Sequence, residues 1–307
     1  MAALGIYLLN VGQADTSVVV TPAGNLVVID AYRPQKLKEM LLALRPDGKI
    51  AHLIITHPHA DHYQGADMLL TSFDVQRVTL APFWHEPGPP GYHALINKMG
   101  LLGTPVHFLS GYERAFPDGG TYPAFDDQLM LEMLGPANSA LDLLSDEGVL
   151  TPNHLSIILR LTYGRFSAVI AADAQMENWD HFDREGMFGR GCDVLRAAHH
   201  GSKRGNQWER LERLDPKLVV VSSDPAGQHE LPDVVGSAIF MELNKSGGRQ
   251  VALTHSTGTI RIEVPSADDP GFAVTAYSEG PADAVFAQPA GPLPATDWAA
   301  LLQHRLA

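Results

Sequence analysis

Three histidines and one aspartate fall within six residues, in His57-Pro58-His59-Ala60-Asp61-His62. They follow directly on the apolar run His52-Leu53-Ile54-Ile55-Thr56. A short apolar run that stops in dense polarity reads as a buried strand ending at a sheet edge. In extended backbone, residues two apart point the same way, so His57 and His59 can grip one ion together. After the turn at Ala60, Asp61 and His62 start a helix. They diverge from the first pair and can hold a second ion. Imidazole and carboxylate ligands suit Zn²⁺, with Mn²⁺ or Fe as alternatives. The bland alternative is a polar turn with satisfied histidines, which leaves the density and spacing of four such residues without a reason.

The rest of the chain reads as strands with helices between them. Residues 4–10 are apolar, and Val11-Gly12-Gln13-Ala14-Asp15 breaks the run. Residues 17–21 are β-branched, Pro22-Ala23-Gly24-Asn25 signals a turn, and 26–29 is another strand-like run that ends at Asp30. Residues 34–44 switch to helical spacing, with Leu37, Met40, Leu41 and Leu44 on one face. A helix is expected over 65–70 and strands over 77–80 and 106–109. The Pro- and Gly-rich stretch 82–92, with Trp84 and His85, reads as a loop that either touches substrate or merely connects. Residues 155–161 and 166–171 suggest a hairpin over Tyr163-Gly164-Arg165. A helix should follow, then strands over 193–198 and 217–222, and a closing pair over 251–254 and 259–264. Two sheets covered by helices account for this order better than one alternating parallel sheet. Residues 1–264 are expected to form the main domain. Residues 265–307 are an Ala/Pro/Gly-rich tail ending in a helix over 296–306, with Trp298, Leu301, Leu302 and Leu306 on one side.

Four clustered residues cannot complete two metal sites, so further ligands must arrive from other strand ends. His154 precedes the run 155–161, Asp173 follows 166–171, and His199-His200 closes the next strand. One such residue is usually structural; three at successive strand ends point to the cluster.

Composition narrows the function. With Lys+Arg 22 against Asp+Glu 35, the net charge of −13 argues against a non-specific nucleic-acid clamp. Bound divalent cations would offset that charge at the site itself. A single cysteine, Cys192, excludes an intrachain disulfide framework. No segment approaches the roughly 18 apolar residues of a membrane helix, so no membrane partner is expected. The N-terminus lacks the basic and apolar regions of a signal peptide. The expectation is a cytoplasmic protein of undetermined oligomeric state.

The chain resembles the metallo-β-lactamase fold superfamily, and within it the hydrolase domain of the DNA-uptake competence proteins (the ComEC/Rec2 family). The resemblance rests on Asn10-Val11-Gly12-Gln13-Ala14-Asp15, Asp30, the histidine cluster, Asn153-His154-Leu155-Ser156, Ala172-Asp173-Ala174, Asp193-Val194-Leu195 and His199-His200-Gly201-Ser202-Lys203. Gly227-Gln228-His229 followed by Pro232 is a weaker trace. Asn10, Ala14, Ala172 and Glu230 depart from the family's usual Asp, Gly, Gly and Pro. The resemblance implies an α/β, four-layer αββα sandwich with two divalent ions at one edge of the sheets. His57, His59 and His154 would hold one ion; Asp61, His62 and His200 the other; Asp173 would bridge both. His200 is favoured over His199 as ligand, leaving His199 to touch substrate or orient a ligand. Asp30 would support the histidine loop. Ser202, Lys203 and His229 would contact an anionic substrate, with His229 a candidate proton donor. The implied activity is hydrolysis through a metal-bridging hydroxide, with Asp61 and Asp173 catalytic, first of all on a phosphodiester of nucleic acid or a smaller anion. Lactone, thioester or β-lactam hydrolysis is the alternative within enzymes. A binding protein with structural metal or none is the alternative outside them. The competence proteins' membrane channel has no counterpart here, so DNA uptake does not carry over.

Overall fold

Most of the apolar runs are only three to six residues long and bounded by turn residues, so they pair as strands. The computed structural model describes residues 3–81, 90–115, 129–136, 138–186, 188–224, 226–227, 229–269, 271–277 and 289–291, and positions 293, 296 and 298. The first half runs β1 (Leu4–Leu8), β2 (Ser17–Val20), β3 (Leu26–Ile29), α1 (Pro34–Leu44), β4 (Lys49–Ile50), β5 (His52–Ile55), α2 (Ala60–Tyr63), α3 (Ala66–Ser72), β6 (Asp74–Val75), β7 (Val78–Leu80), α4 (Pro90–Leu102) and β8 (Val106–Phe108). The second runs β9 (Tyr112–Ala115), β10 (Leu129–Leu134), α5 (Asn138–Asp146), β11 (Ile158–Tyr163), β12 (Phe166–Ile170), α6 (Met176–Arg184), β13 (Val194–Arg196), α7 (Trp208–Leu214), β14 (Leu218–Val221), α8 (Val234–Lys245), β15 (Gln250–Leu253) and α9 (Thr254–Thr257). Then β16 (Thr259–Val264), β17 (Ala273–Tyr277) and β18 (Pro289–Gly291) return to the first sheet.

The first sheet has the order β18-β17-β16-β1-β2-β3-β5-β7-β8 and the second β15-β14-β13-β12-β11-β10-β9. The period of two along each strand decides which core a residue joins. From β1, Leu4, Ile6 and Leu8 point between the sheets, where they share one cluster with Leu131, Leu159 and Leu161. Tyr7 turns the other way and joins Val18, Val28 and the buried face of α1, Leu37, Met40 and Leu41, with Tyr92 and Met99 of α4. On the far side, Val169, Leu195 and Val219 meet Trp179 and Phe182 of α6, Leu211 of α7 and Phe240 of α8. Both sheets are thus covered, and the layers run α, β, β, α, as the resemblance implied. A fully buried side chain of this size is worth about 1.5–3 kcal/mol, so these three clusters carry the fold. Among the described residues no helix is long and apolar enough to cross a membrane.

Three expectations need correction. Pro90 and Tyr92 belong to α4, not to a loop. Pro90 pre-sets the first turn, and Tyr92, Leu95 and Met99 bury one face; residues 82–89, with Trp84 and His85, lie outside the described residues. His154 and Leu155 stand on a 3₁₀ turn, Pro152–Leu155, and the strand begins only at Ile158. The expected closing pair is split, because β15 lies parallel to β14 in the second sheet while β16 pairs with β1 in the first. Past residue 264 the chain adds β17 alongside β16. Of the expected tail helix, Leu301, Leu302 and Leu306 lie outside the described residues; Trp298 packs on the outer core of the second sheet.

The parallel strands β3 and β5, and likewise β12 and β13, end together. Their C-terminal ends carry Asp30, His57, Asp173 and His199-His200 to one edge.

Candidate metal centre

At these strand ends the backbone leaves the ordinary regions. Asp30 (φ 58), Ala172 (φ 48), His199 (φ 46) and His200 (φ 51) are all left-handed. Each such residue costs on the order of 1–3 kcal/mol and persists only where the surroundings enforce it. The sharp reversals point Asp30, Asp173 and the two histidines at one another rather than along their sheets. Gly201 follows at φ 86, where a Cβ would come within 2.7 Å of Pro232 Cβ and 2.9 Å of Val221 Cγ1. No side chain fits after His200.

Six of the seven expected ligands come together. His57 Nε2 lies 3.0 Å from His59 Nδ1 and 3.6 Å from Asp173 Oδ2. On the other side, His62 Nε2 is 3.4 Å from Asp173 Oδ1 and 3.9 Å from Asp61 Oδ2. His200 Nε2 is 3.4 Å from Asp61 Oδ2 and 3.6 Å from Asp173 Oδ1. Asp173 thus offers one oxygen to each side. In the sets His57/His59/Asp173 and Asp61/His62/His200, the donor atoms lie within 4.8 Å of one another.

Electrostatics agree with a cation site. Burial holds His57 well below, and His59 below, the usual imidazole range. Burial also acts to depress His62, but Asp30 and Asp173 outweigh it and hold its pKa well above 6.5. His200 is raised in the same way, against its burial, by Asp173 and Asp15. Asp173 and Asp61 are held low despite burial, Asp173 by the charges of His200 and His62, and Asp61 by the close approach of His200 and the charge of His62. Protons on two imidazoles therefore supply positive charge that the carboxylates demand. Three buried atoms, His62 Nε2, His200 Nε2 and Asp173 Oδ1, have no hydrogen-bond partner among the described residues. Buried polar atoms seldom go unpaired, and these three face one another. The residues present fit two divalent cations.

The supporting groups are equally defined. Asp30 accepts from Thr56 N at 2.8 Å, Thr56 Oγ1 at 2.8 Å and His62 Nδ1 at 2.7 Å. Its hold on Nδ1 turns His62 Nε2 toward the cluster. His199 Nε2 lies 3.7 Å from Asp173 Oδ2 and 3.3 Å from Asn153 Nδ2. His154 belongs to neither set. Its Nδ1 accepts from Thr151 N at 2.9 Å, and its Nε2 lies 3.4 Å from Glu177. Ser202 is buried, with its N–H on His199 O at 2.8 Å. Lys203 is exposed, and its backbone N–H donates to Asp233 Oδ2 at 3.0 Å. His229 is exposed and lines a cavity that also contains Asp61.

One functional residue was not singled out from sequence. Asp15 is buried, ion-paired with Arg196, and lies 3.3 Å from His200 Nδ1. Its backbone N–H also donates to Asp61 O at 3.2 Å. Its place at the end of the Asn10-to-Asp15 turn, just before a strand, was the available signal.

Residues 9–223 match the family model of the metallo-beta-lactamase superfamily. Comparison with the curated proteins finds no match. Among solved structures, the diiron β-hydroxylase CmlA of Streptomyces venezuelae is similar over 81% of this chain and 52% of its own, at 17% identity and TM-score 0.51. A mutant of the same enzyme gives 18% identity over 85% of this chain and 54% of its own, with TM-score 0.53. The chain therefore spans about half the length of CmlA. Igni18, a metallo hydrolase of the archaeon Ignicoccus hospitalis, is similar over 88% of this chain and 98% of its own, at 13% identity and TM-score 0.51. At these identities the likeness is one of fold.

Proposed function

The chain belongs to the metallo-beta-lactamase superfamily, largely one of metal-dependent hydrolases, and we propose that it is a dinuclear hydrolase acting on phosphodiesters. The convergence of His57, His59, Asp61, His62, Asp173 and His200 carries the reading. His57, His59 and Asp173 would hold one cation, with His199 beside them. Asp61, His62, His200 and the second oxygen of Asp173 would hold the other. When bound, the pair supplies an activated water and neutralises charge growing on the substrate's oxyanion. Zinc, manganese and iron all suit these donors.

The protein's own residues do the rest. Asp30 and Asp15 fix the rings of His62 and His200, so the donors are positioned before substrate arrives. Asp61, its side chain 34% exposed, is the cluster member that meets the cavity. There it can orient the attacking water. Attack at phosphorus breaks the bond to the leaving oxygen, which needs a proton. His229, on the wall of the same cavity, is placed to give one. Lys203, exposed after the His-His-Gly-Ser turn, attracts the anion.

We place phosphodiesters ahead of lactones, thioesters and β-lactams. The cavity beside Asp61 presents Gln13, Arg33, Gln64 and His229, donors that can bind phosphodiester oxygens, beside the carboxylate of Asp224. The likeness of the His-His-Gly-Ser-Lys end to the competence hydrolase domain points the same way. The test is turnover of bis(p-nitrophenyl) phosphate, a lactone and a β-lactam by Zn²⁺- and Mn²⁺-loaded protein. The phosphodiester should be preferred, and Asp173→Ala should abolish its turnover. Unchanged turnover in that variant, or preference for the lactone, overturns the reading. Fewer than one metal per chain under metal-replete conditions would instead indicate a binding protein.

A further inference from the structure

His199 and His200 are consecutive left-handed residues, and neither is glycine. Residues with side chains visit that region singly rather than in series. Such a pair persists only where surrounding groups enforce it. The short turn Ala198–Gly201 that carries them must therefore be clamped from outside.

Asn206 supplies the clamp. Its side chain is fully buried. Oδ1 accepts from Ala198 N at 3.2 Å, and Nδ2 donates to Ala198 O at 2.7 Å and to Ser202 O at 2.8 Å. One amide thus grips the backbone where the chain enters the turn and where it leaves. A carboxylate at this position would lack the donors, and a hydroxyl would offer only one.

The clamp is itself anchored. Trp179 Nε1 donates to Gly205 O at 2.7 Å. A Cβ at position 205 would come within 2.6 Å of Ala174 O and 2.8 Å of Ala198 Cβ, so the chain before Asn206 lies hard against both metal-site loops. Beyond Asn206, α7 buries Leu211 and Leu214 in the outer core of the second sheet. His199 N also donates to Ala172 O at 2.8 Å, which couples the histidine turn to the one that presents Asp173.

We infer that Asn206 is a positioning residue for the metal centre, holding the 198–202 turn in the left-handed form that aims His200 at Asp61 and Asp173. The inference deepens the dinuclear reading and rests on it for the cation that His200 would hold. Asn206 touches neither cation nor substrate; it acts through His200. An outer partner that orients a metal ligand is typically worth about 10–100-fold in metal affinity.

The test titrates full-length protein with Zn²⁺ against a chromogenic chelator. Asn206→Ala removes all three bonds; Asn206→Asp keeps the shape and the acceptor for Ala198 N but removes both donors, and it carries the comparison should the alanine variant not fold. Each should raise, by about ten-fold or more, the free Zn²⁺ at which the second equivalent loads. On a His200→Ala background the same changes should shift that concentration less than about two-fold, because the ligand through which Asn206 acts is gone. A residue that merely stabilised the fold would shift both backgrounds alike. In chelator-stripped protein, amide hydrogen exchange over residues 198–202, followed by mass spectrometry, should quicken about ten-fold or more in both variants. Loading of both variants within about two-fold of the parent, or equal shifts with and without His200, overturns the inference and leaves the dinuclear reading standing. If the parent itself loads fewer than one metal per chain while exchange over 198–202 still quickens, the dinuclear reading falls and the hold of Asn206 on the turn stands. Unaltered exchange in that case ends the inference as well.

Discussion

Asp15 and Arg196 form a buried ion pair between the two sheets, one at the turn after β1 and the other at the end of β13. The same carboxylate oxygen lies 3.3 Å from His200 Nδ1, so one aspartate ties the sheets together and orients a metal ligand. Removing one partner strands a buried charge, which costs about 3–5 kcal/mol. Asp15→Asn should therefore lower Tm by roughly 6 °C or more, taking about 2 °C per kcal/mol for a chain of this size. It should also weaken metal binding at His200. A calorimetric Tm within a degree of the parent would show the pair to be dispensable.

The Asp30 carboxylate fixes both Thr56 and His62. An orienting partner of this kind typically contributes 10–100-fold to metal affinity. Asp30→Asn should raise the Kd for Zn²⁺ by about that factor, measured by competition with a chromogenic chelator. Because the amide oxygen introduced by that substitution can still accept from Thr56, loss of affinity should exceed loss of Tm. Unaltered Kd would mean that packing alone orients His62.

What sequence could and could not give follows from range. His57 to His62 is a local pattern on one strand end and one helical turn, so its geometry was readable from spacing. So was α1, whose bounds Pro34–Leu44 are those of the expected helix. The partition of β15 and β16 between two sheets was not, because both runs are equally apolar and only tertiary pairing separates them. The Asp15–Arg196 pair spans 181 residues and leaves no periodic trace. Ala172 was visible as a departure from glycine, but only the backbone shows that it occupies the left-handed position a glycine would favour.

His154 and His199 make opposite predictions for metal content. The Nδ1 of His154 takes the Thr151 N–H and its Nε2 faces Glu177, whereas His199 Nε2 lies 3.7 Å from Asp173 Oδ2. A neutral imidazole that accepts at Nδ1 carries its proton at Nε2 and has no second lone pair for a cation. His154→Ala should keep two metals per chain by mass spectrometry, and His199→Ala should lose the more weakly held one. The reverse pattern would return His154 to the ligand set.

Metal removal should change how stability responds to alkali. In the metal-free protein His62 and His200 titrate above the unfolded imidazole value, His62 well above it. A raised pKa contributes stability that is complete below about 6.5, the unfolded value, and fades as pH climbs through the folded one. The neutral buried histidines, His57, His59 and His199, are lowered and act oppositely, but their effect is complete once the unfolded imidazoles have lost their protons. Between pH 7.5 and 9.5 the raised pair therefore dominates the histidine contribution, at about 1.4 kcal/mol per retained proton per pH unit. A bound cation requires the same ring atoms deprotonated, so the loaded protein has no such loss. Buried Cys192, pushed up to about 12, destabilises both forms alike as alkali rises and cancels in the comparison. Scanning calorimetry of loaded and chelator-stripped protein should show a Tm gap that widens by several degrees from pH 7.5 to 9.5, and a gap that narrows would mean that the cluster does not exchange protons for cations.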